Sequence, residues 1–183
     1  MDSPNSIEFT MKKKEDMKTS MQRSLIFVAC FMPGIIILGI VMAVATQFLL
    51  AVMPVLIILS VYLCWYCMRF TKIEYEYVIQ SGEFTVSAIY DNRSRKDLIK
   101  AAKIKDMSQV VPYHTNEPLL NAPGINQVLY YCSDLENPDL YISIFDHEKM
   151  GKIAVVFNTS RRLVQIMQFY NRLNVMLKNE FQI

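Results

Sequence analysis

Between Leu25 and Met68 the sequence holds no Asp, Glu, Lys, Arg or His. That absence excludes a water-facing helix or strand there, since a soluble element needs at least one polar face. A hydrocarbon core about 30 Å thick is crossed by roughly 20 helical residues. The uncharged run is about twice that length, so two crossings are expected. We place them at Leu25 to Ala45 and Phe48 to Met68, where Thr46 and Gln47 supply the strongly polar pair near the middle. A cleaved signal peptide fits less well, because its apolar region is about half as long and ends in small residues.

Other scarcities narrow the chemistry. The net charge is only +2, too small for a chain that tracks phosphates, so nucleic acid is not an expected partner. Cys30, Cys64, Cys67 and Cys132 are the four cysteines, and with three of them in the apolar run no disulfide framework follows. A reducing compartment fits that placement. Cys64-Trp65-Tyr66-Cys67 has CxxC spacing, but without a second cysteine or histidine pair it reads as two small apolar residues. Acylation of a juxtamembrane cysteine is a chemical option that the spacing leaves open.

His114 and His147 stand in separate turn-like segments with no metal-ligand or nucleophile partner at a recognisable spacing. Gly151-Lys152 lacks the flanking residues of a phosphate loop, and no nucleophile elbow occurs. Glu74 and Glu76 share a strand face at a spacing that normally faces water. No catalytic residue, metal site or cofactor is expected, and the chain reads as non-enzymatic.

Orientation follows from the basic residues. Lys12, Lys13, Lys14, Lys18 and Arg23 precede the first helix, Arg69 and Lys72 follow the second, and the connecting turn is uncharged. The positive-inside bias puts both termini in the cytoplasm, a multi-pass arrangement in the cell membrane. Tyr62, Trp65 and Tyr66 suit the headgroup level of the second helix. Pro33 and Pro54 read as tolerated kinks, since no ionisable residue accompanies them to line a transport pathway. Gly39 and Ala43 give a small-xxx-small spacing that hints at close packing between the helices or with another copy of the chain.

Residues 1–24 are expected to be a disordered, basic cytoplasmic segment, and residues 71–183 a cytoplasmic domain. Beyond Thr71 the apolar residues alternate: Ile73, Tyr75, Tyr77 and Ile79 form one strand, then a Ser81-Gly82 turn, then Phe84, Val86, Ala88 and Tyr90. A turn at Asp91 to Ser94 leads into a third strand at about Asp97 to Lys105. A short strand at Gln109 to Val111 precedes an irregular loop over Pro112 to Asn126. Strands resume at Gln127 to Cys132, Tyr141 to Asp146 and Lys152 to Phe157. Leu163, Ile166, Met167, Tyr170, Leu173 and Leu177 then recur at helical spacing, capped by Asn158 or Thr159. The fold class is therefore α+β. About seven antiparallel strands followed by one amphipathic helix is the element order of a pleckstrin-homology-like barrel or sandwich.

The segments Phe70-Thr71-Lys72-Ile73-Glu74-Tyr75-Glu76-Tyr77, Gly82-Glu83-Phe84-Thr85-Val86, and Ile89-Tyr90 ahead of Arg93-Ser94-Arg95-Lys96 carry a family resemblance. The chain resembles small clostridial-type membrane proteins with two transmembrane helices and a bacterial pleckstrin-homology-like domain. The resemblance covers most of the chain and supports that architecture, and it carries no reaction with it.

One cluster has binding character: Arg93, Arg95, Lys96, Lys100, Lys103 and Lys105, interrupted by Asp97 and followed by Asp106. Two partners are expected from it. The domain is read first as an interaction module presented to a protein partner. The alternative is a sensor of the bilayer surface, each basic side chain gaining about 1 kcal/mol beside anionic headgroups. A solvated strand face remains the bland reading of the same residues.

Overall fold

The computed structural model describes residues 6–14, 17–44 and 49–178. They form two compact units, one of residues 15–73 and one that joins residues 1–14 to residues 74–183.

The first unit is a pair of helices, α1 (Met17–Val44) and α2 (Leu49–Met68), with a 3-10 turn at Arg69–Thr71. Both are long and apolar enough to cross a membrane. Large apolar side chains such as Ile35, Ile40, Val55 and Ile58 stand exposed around them. The first helix starts at Met17 rather than Leu25, because Met17 to Ser24 includes good helix formers and nothing that stops a helix. The expected turn at 45–48 lies outside the described residues. Both prolines are carried inside continuous helix. Close approach falls at Gly34, where an added Cβ would lie 3.2 Å from Ser60 Oγ, whereas Gly39 faces open space. The Gly39/Ala43 spacing is therefore not what joins these two helices.

Among the described residues the second unit holds eight strands in two sheets. The first sheet is ordered β1 (Ser6–Lys12), β2 (Ile73–Gln80), β3 (Glu83–Tyr90), β4 (Ser94–Lys103). The second is ordered β5 (Gln109–Pro112), β7 (Leu140–His147), β8 (Gly151–Asn158), β6 (Gln127–Tyr131). A one-turn helix, α3 (Tyr113–Asn116), follows β5, and α4 (Arg161–Tyr170) closes the domain.

β1 corrects the expectation of a disordered N-terminus. Its register against β2 runs from Ser6 opposite Gln80 to Lys12 opposite Glu74. The signal was present as alternation: Ile7, Phe9 and Met11 are partly buried while Glu8, Thr10 and Lys12 are exposed. Seven residues beside a basic run are easily passed over when their partner strand lies beyond two long helices. The hairpin is thus inserted between two neighbouring strands of one domain, and the domain does not begin at Thr71.

The strand count and the barrel also change. Eight strands replace seven, the two sheets do not close into a barrel, and β6 lies parallel to β8, from Gln127 opposite Ile153 to Tyr131 opposite Phe157. The pairings of β1 with β2, β3 with β4, β5 with β7 and β7 with β8 are antiparallel. Residues 132–139 carry the chain past the end of β8, where Ser133 N donates to Asn158 Oδ1 at 2.6 Å.

The near-continuous apolar run of β8 now has its reason: both faces of the second sheet are covered. On one face Phe157 meets Tyr77 and Phe84 of the first sheet, with ring centroids 5.9 and 5.0 Å apart. On the other, Ile142, Ile144, Ala154 and Val156 pack with Tyr113, Leu120 and partly buried Leu119 and Ile125. The stretch Pro112 to Asn126, read as an irregular loop, includes α3 and a 3-10 turn at Glu117–Asn121 and lids the sheet.

The C-terminal helix stops at Tyr170, short of the expected Leu177, and its cap is Ser160, whose Oγ accepts from Leu163 N at 3.4 Å. Asn171 ends it by turning its side-chain amide to the carbonyls of Ile104 and Met107, 2.9 Å from each. The chain then runs beside β5, with Val110 N donating to Asn174 O at 2.7 Å and Met176 N to Val110 O at 2.9 Å.

Candidate functional site

The six basic residues of the predicted cluster do not converge. Arg93 sits in the three-residue turn after β3, where Asp91 and Asn92 adopt positive φ. Arg95, Lys96, Lys100 and Lys103 lie along β4, and Lys105 in the 3-10 turn beyond it. At about 3.3 Å per residue they spread over roughly 30 Å of an edge strand rather than around one anion. Register shifts against Phe84, Val86 and Ser87 bend the strand further, a common way of blunting an exposed edge.

Arg95 is engaged within the fold. Its guanidinium Nη2 lies 2.8 Å from Glu76 Oε2, and its Nε lies 3.7 Å from Asp97 Oδ1 and donates to Ser87 Oγ at 3.3 Å. Ser87 in turn donates to Asp97 at 2.9 Å. Glu76 is only 4% exposed, against the expectation that Glu74 and Glu76 would both face water. Burial, then a hydrogen bond with Glu8 of β1, push the Glu76 carboxyl up, and Arg95 pulls it back down. This group of side chains is an internal charge network on the first sheet, and Arg95 leaves the list of binding candidates. Arg93, Lys96, Lys100, Lys103 and Lys105 remain exposed.

Two further surfaces escaped the sequence reading. An open groove of about 420 Å³ is lined by Lys12, Lys14, Ser133, Asp134 and Asn137 among others. Lys14 Nζ lies 2.7 Å from Asp134 Oδ2, and this hydrogen bond holds the Asp134 carboxyl below its usual range. In the last turn of α4 and just past it, Phe169, Leu173 and Met176 are 81%, 95% and 60% exposed. The Asn171 amide also reaches Lys105 O at 3.5 Å, so this apolar corner is pinned against the turn that carries Lys105. Helical periodicity had assigned Leu173 to the buried stripe; the chain leaves the helix before that residue.

Among the described residues no group of three or more His, Cys, Asp or Glu is arranged to hold a metal ion. His114 Nε2 contacts Asn137 O at 2.8 Å, and His147 Nδ1 accepts from Lys149 N at 3.2 Å, so both histidines serve loop conformation.

A family model described as "Bacterial PH-like domain (DUF6106)" matches residues 6–177. The chain belongs to this bacterial PH-like family. No curated protein and no solved structure matches it. The family match starts at the first residue of β1 and spans the helical hairpin, in keeping with a PH-like domain that is interrupted after its first strand. PH-like domains are generally non-catalytic, and a PH-like domain is compatible with an interaction or a lipid-binding module.

Proposed function

We propose that this chain is a membrane-anchored, non-enzymatic interaction module that presents its PH-like domain to a protein partner on the cytoplasmic face of the cell membrane. The observation that carries the reading is the pairing of β1 with β2. Lys12 and Glu74 are opposed Cα partners and an ion pair at 3.4 Å. Two neighbouring strands of one sheet cannot lie on opposite sides of a bilayer, so the apolar hairpin between them leaves and returns on one side. The basic residues at both of its ends favour the cytoplasm for that side.

The apolar corner of Phe169, Leu173 and Met176 supports a protein partner. Large side chains at such exposure are uncommon on a solvated surface and typical of a docking patch. Lys105 and Arg172 beside it suit a partner whose apolar surface is flanked by carboxylates. A photo-cross-linking residue at position 173 of the full chain, in native membranes, should give a discrete heavier adduct that the same probe at position 149 does not. Recovery of uncross-linked monomer alone from both positions would count decisively against this role.

The exposed bases of β4 favour a second reading, contact with anionic lipid. A fluorophore at position 96 of the full chain in vesicles should then be quenched by headgroup-labelled lipid more strongly when anionic lipid is present. Insensitivity of that quenching to R93Q with K100Q would remove the lipid reading and leave the protein one.

A further inference from the structure

Cys30, Cys64 and Cys67 meet on the seam of the helical hairpin. Along α1 the residues Arg23, Cys30 and Gly34 follow at the a/d intervals of a helix seam, and Thr71, Cys64 and Ser60 repeat those intervals in reverse along the second helix and its terminal turn. The two outer pairs touch: Arg23 Nε donates to Thr71 Oγ1 at 3.1 Å, and Gly34 faces Ser60. The middle pair is therefore held face to face from both sides. Cys64 and Cys67 are the thiols that neighbour Cys30 across this seam. Cys30 and Cys64 are 6% and 8% exposed, while Cys67, nearer the end of α2, is half-buried. Sequence spacing offered a CxxC pair without a partner; the fold brings a third thiol to it from the other helix.

We propose that these three cysteines form a redox-active thiol site that is oxidised by organic hydroperoxides of the membrane and thereby staples α1 to α2. Cys67, the most accessible, is the entry thiol. Its sulfur attacks the O–O bond, which breaks; the sulfur is oxidised to sulfenic acid and the hydroperoxide is reduced to its alcohol, which takes up the Cys67 thiol proton. The Cys30 sulfur then attacks the Cys67 sulfur, the S–S bond forms, and the sulfenic hydroxyl leaves as water with the Cys30 proton. Two electrons have passed from two sulfurs to one peroxide bond. Cys64 next attacks the Cys30 sulfur and displaces Cys67 as a thiol, which moves the disulfide to the buried pair and frees the entry thiol. Two equivalents of a small thiol restore the reduced site. Closure of the disulfide rests on the hairpin geometry alone, whereas the lipid origin of the oxidant rests on the anchoring proposed above.

The test uses the reduced full-length chain in membranes, exposed to cumene hydroperoxide or to hydrogen peroxide, with free thiols then counted by polyethylene-glycol maleimide and linkages mapped by mass spectrometry. The wild type should lose two thiols within one chain, with Cys30 joined to Cys64 or Cys67, and faster with cumene hydroperoxide. Cys132 should stay free, since it is buried in the PH-like domain and burial pushes its thiol up to about 11. C30S should lose one thiol, at Cys67, and form no linkage between the helices, C67S should slow the first step, and C64S should leave the Cys30–Cys67 linkage. Retention of all four thiols in the wild type, loss of two thiols in C30S as in the wild type, or linkages only between chains would overturn the site. Equal rates with the two peroxides would overturn the membrane source of the oxidant.

Discussion

Arg95 on the edge strand β4 and Glu76 on β2 form an ion pair at 2.8 Å that spans β3, and the glutamate's side chain is only 5% exposed. A carboxylate so far out of water is costly unless a cation accompanies it, so the arginine is structural before it is available to any ligand. R95M should lower the unfolding free energy of the full chain by about 1–2 kcal/mol at neutral pH, the half-exposed guanidinium limiting the loss. Adding E76Q should recover most of it, because the orphaned charge is gone. Chemical denaturation of the two variants in detergent checks this; additive losses would show that the pair is not coupled.

The same carboxyl sets a pH dependence. Its folded-state pKa is raised, mainly by burial and then by the Glu8 hydrogen bond, with Arg95 opposing and Asp97 adding to the rise. A raised acid binds its proton more tightly folded than unfolded. Its contribution is therefore fully present below the ordinary carboxylate range and lost as pH rises through the folded value. E76Q should flatten the fall of stability on the alkaline side of that range. Measured melting temperatures that keep the wild-type slope in E76Q would contradict the assignment.

β1 makes a third expectation. A fragment starting at residue 71 lacks the strand that covers the edge of β2 and the partly buried side chains Ile7, Phe9 and Met11. It should aggregate or unfold at markedly lower denaturant than a chain in which residues 1–14 are joined to residues 73–183 by a short Gly/Ser linker. Indistinguishable unfolding midpoints would mean that β1 contributes little to the domain.

Tyr77 ties the two sheets together. Its side chain is fully buried, its hydroxyl donates to Tyr131 O at 2.6 Å, and Asn158 N donates to the same hydroxyl at 3.4 Å. Burial pushes that phenol well above its ordinary value. Y77F keeps the ring against Phe157 but strands the Tyr131 carbonyl, and should cost about 1–2 kcal/mol of stability. An unchanged unfolding free energy would show that water replaces the hydroxyl.

Much of this protein was legible one residue at a time. The missing charge between Leu25 and Met68 gives two long apolar helices, because a segment without charged residues has no polar face to turn to water. Alternation at Ile73 to Ile79 gives β2, and the Ser81-Gly82 turn, both residues at positive φ, joins it to β3. These signals are local, since a period of two or an absent charge is a property of the segment itself.

Pairing is not local, and there the tertiary structure decided. Nothing in Ser6 to Lys12 says that its partner lies beyond two membrane-length helices, nothing in Gln127 to Tyr131 says that it runs parallel to β8, and nothing in Cys64 to Cys67 announces Cys30. Nor does a run of Arg and Lys reveal that Glu76 occupies one member of it. Composition and period determined which segments must leave water; which of them meet, and which charged groups are thereby used up, followed only from closing the chain on itself.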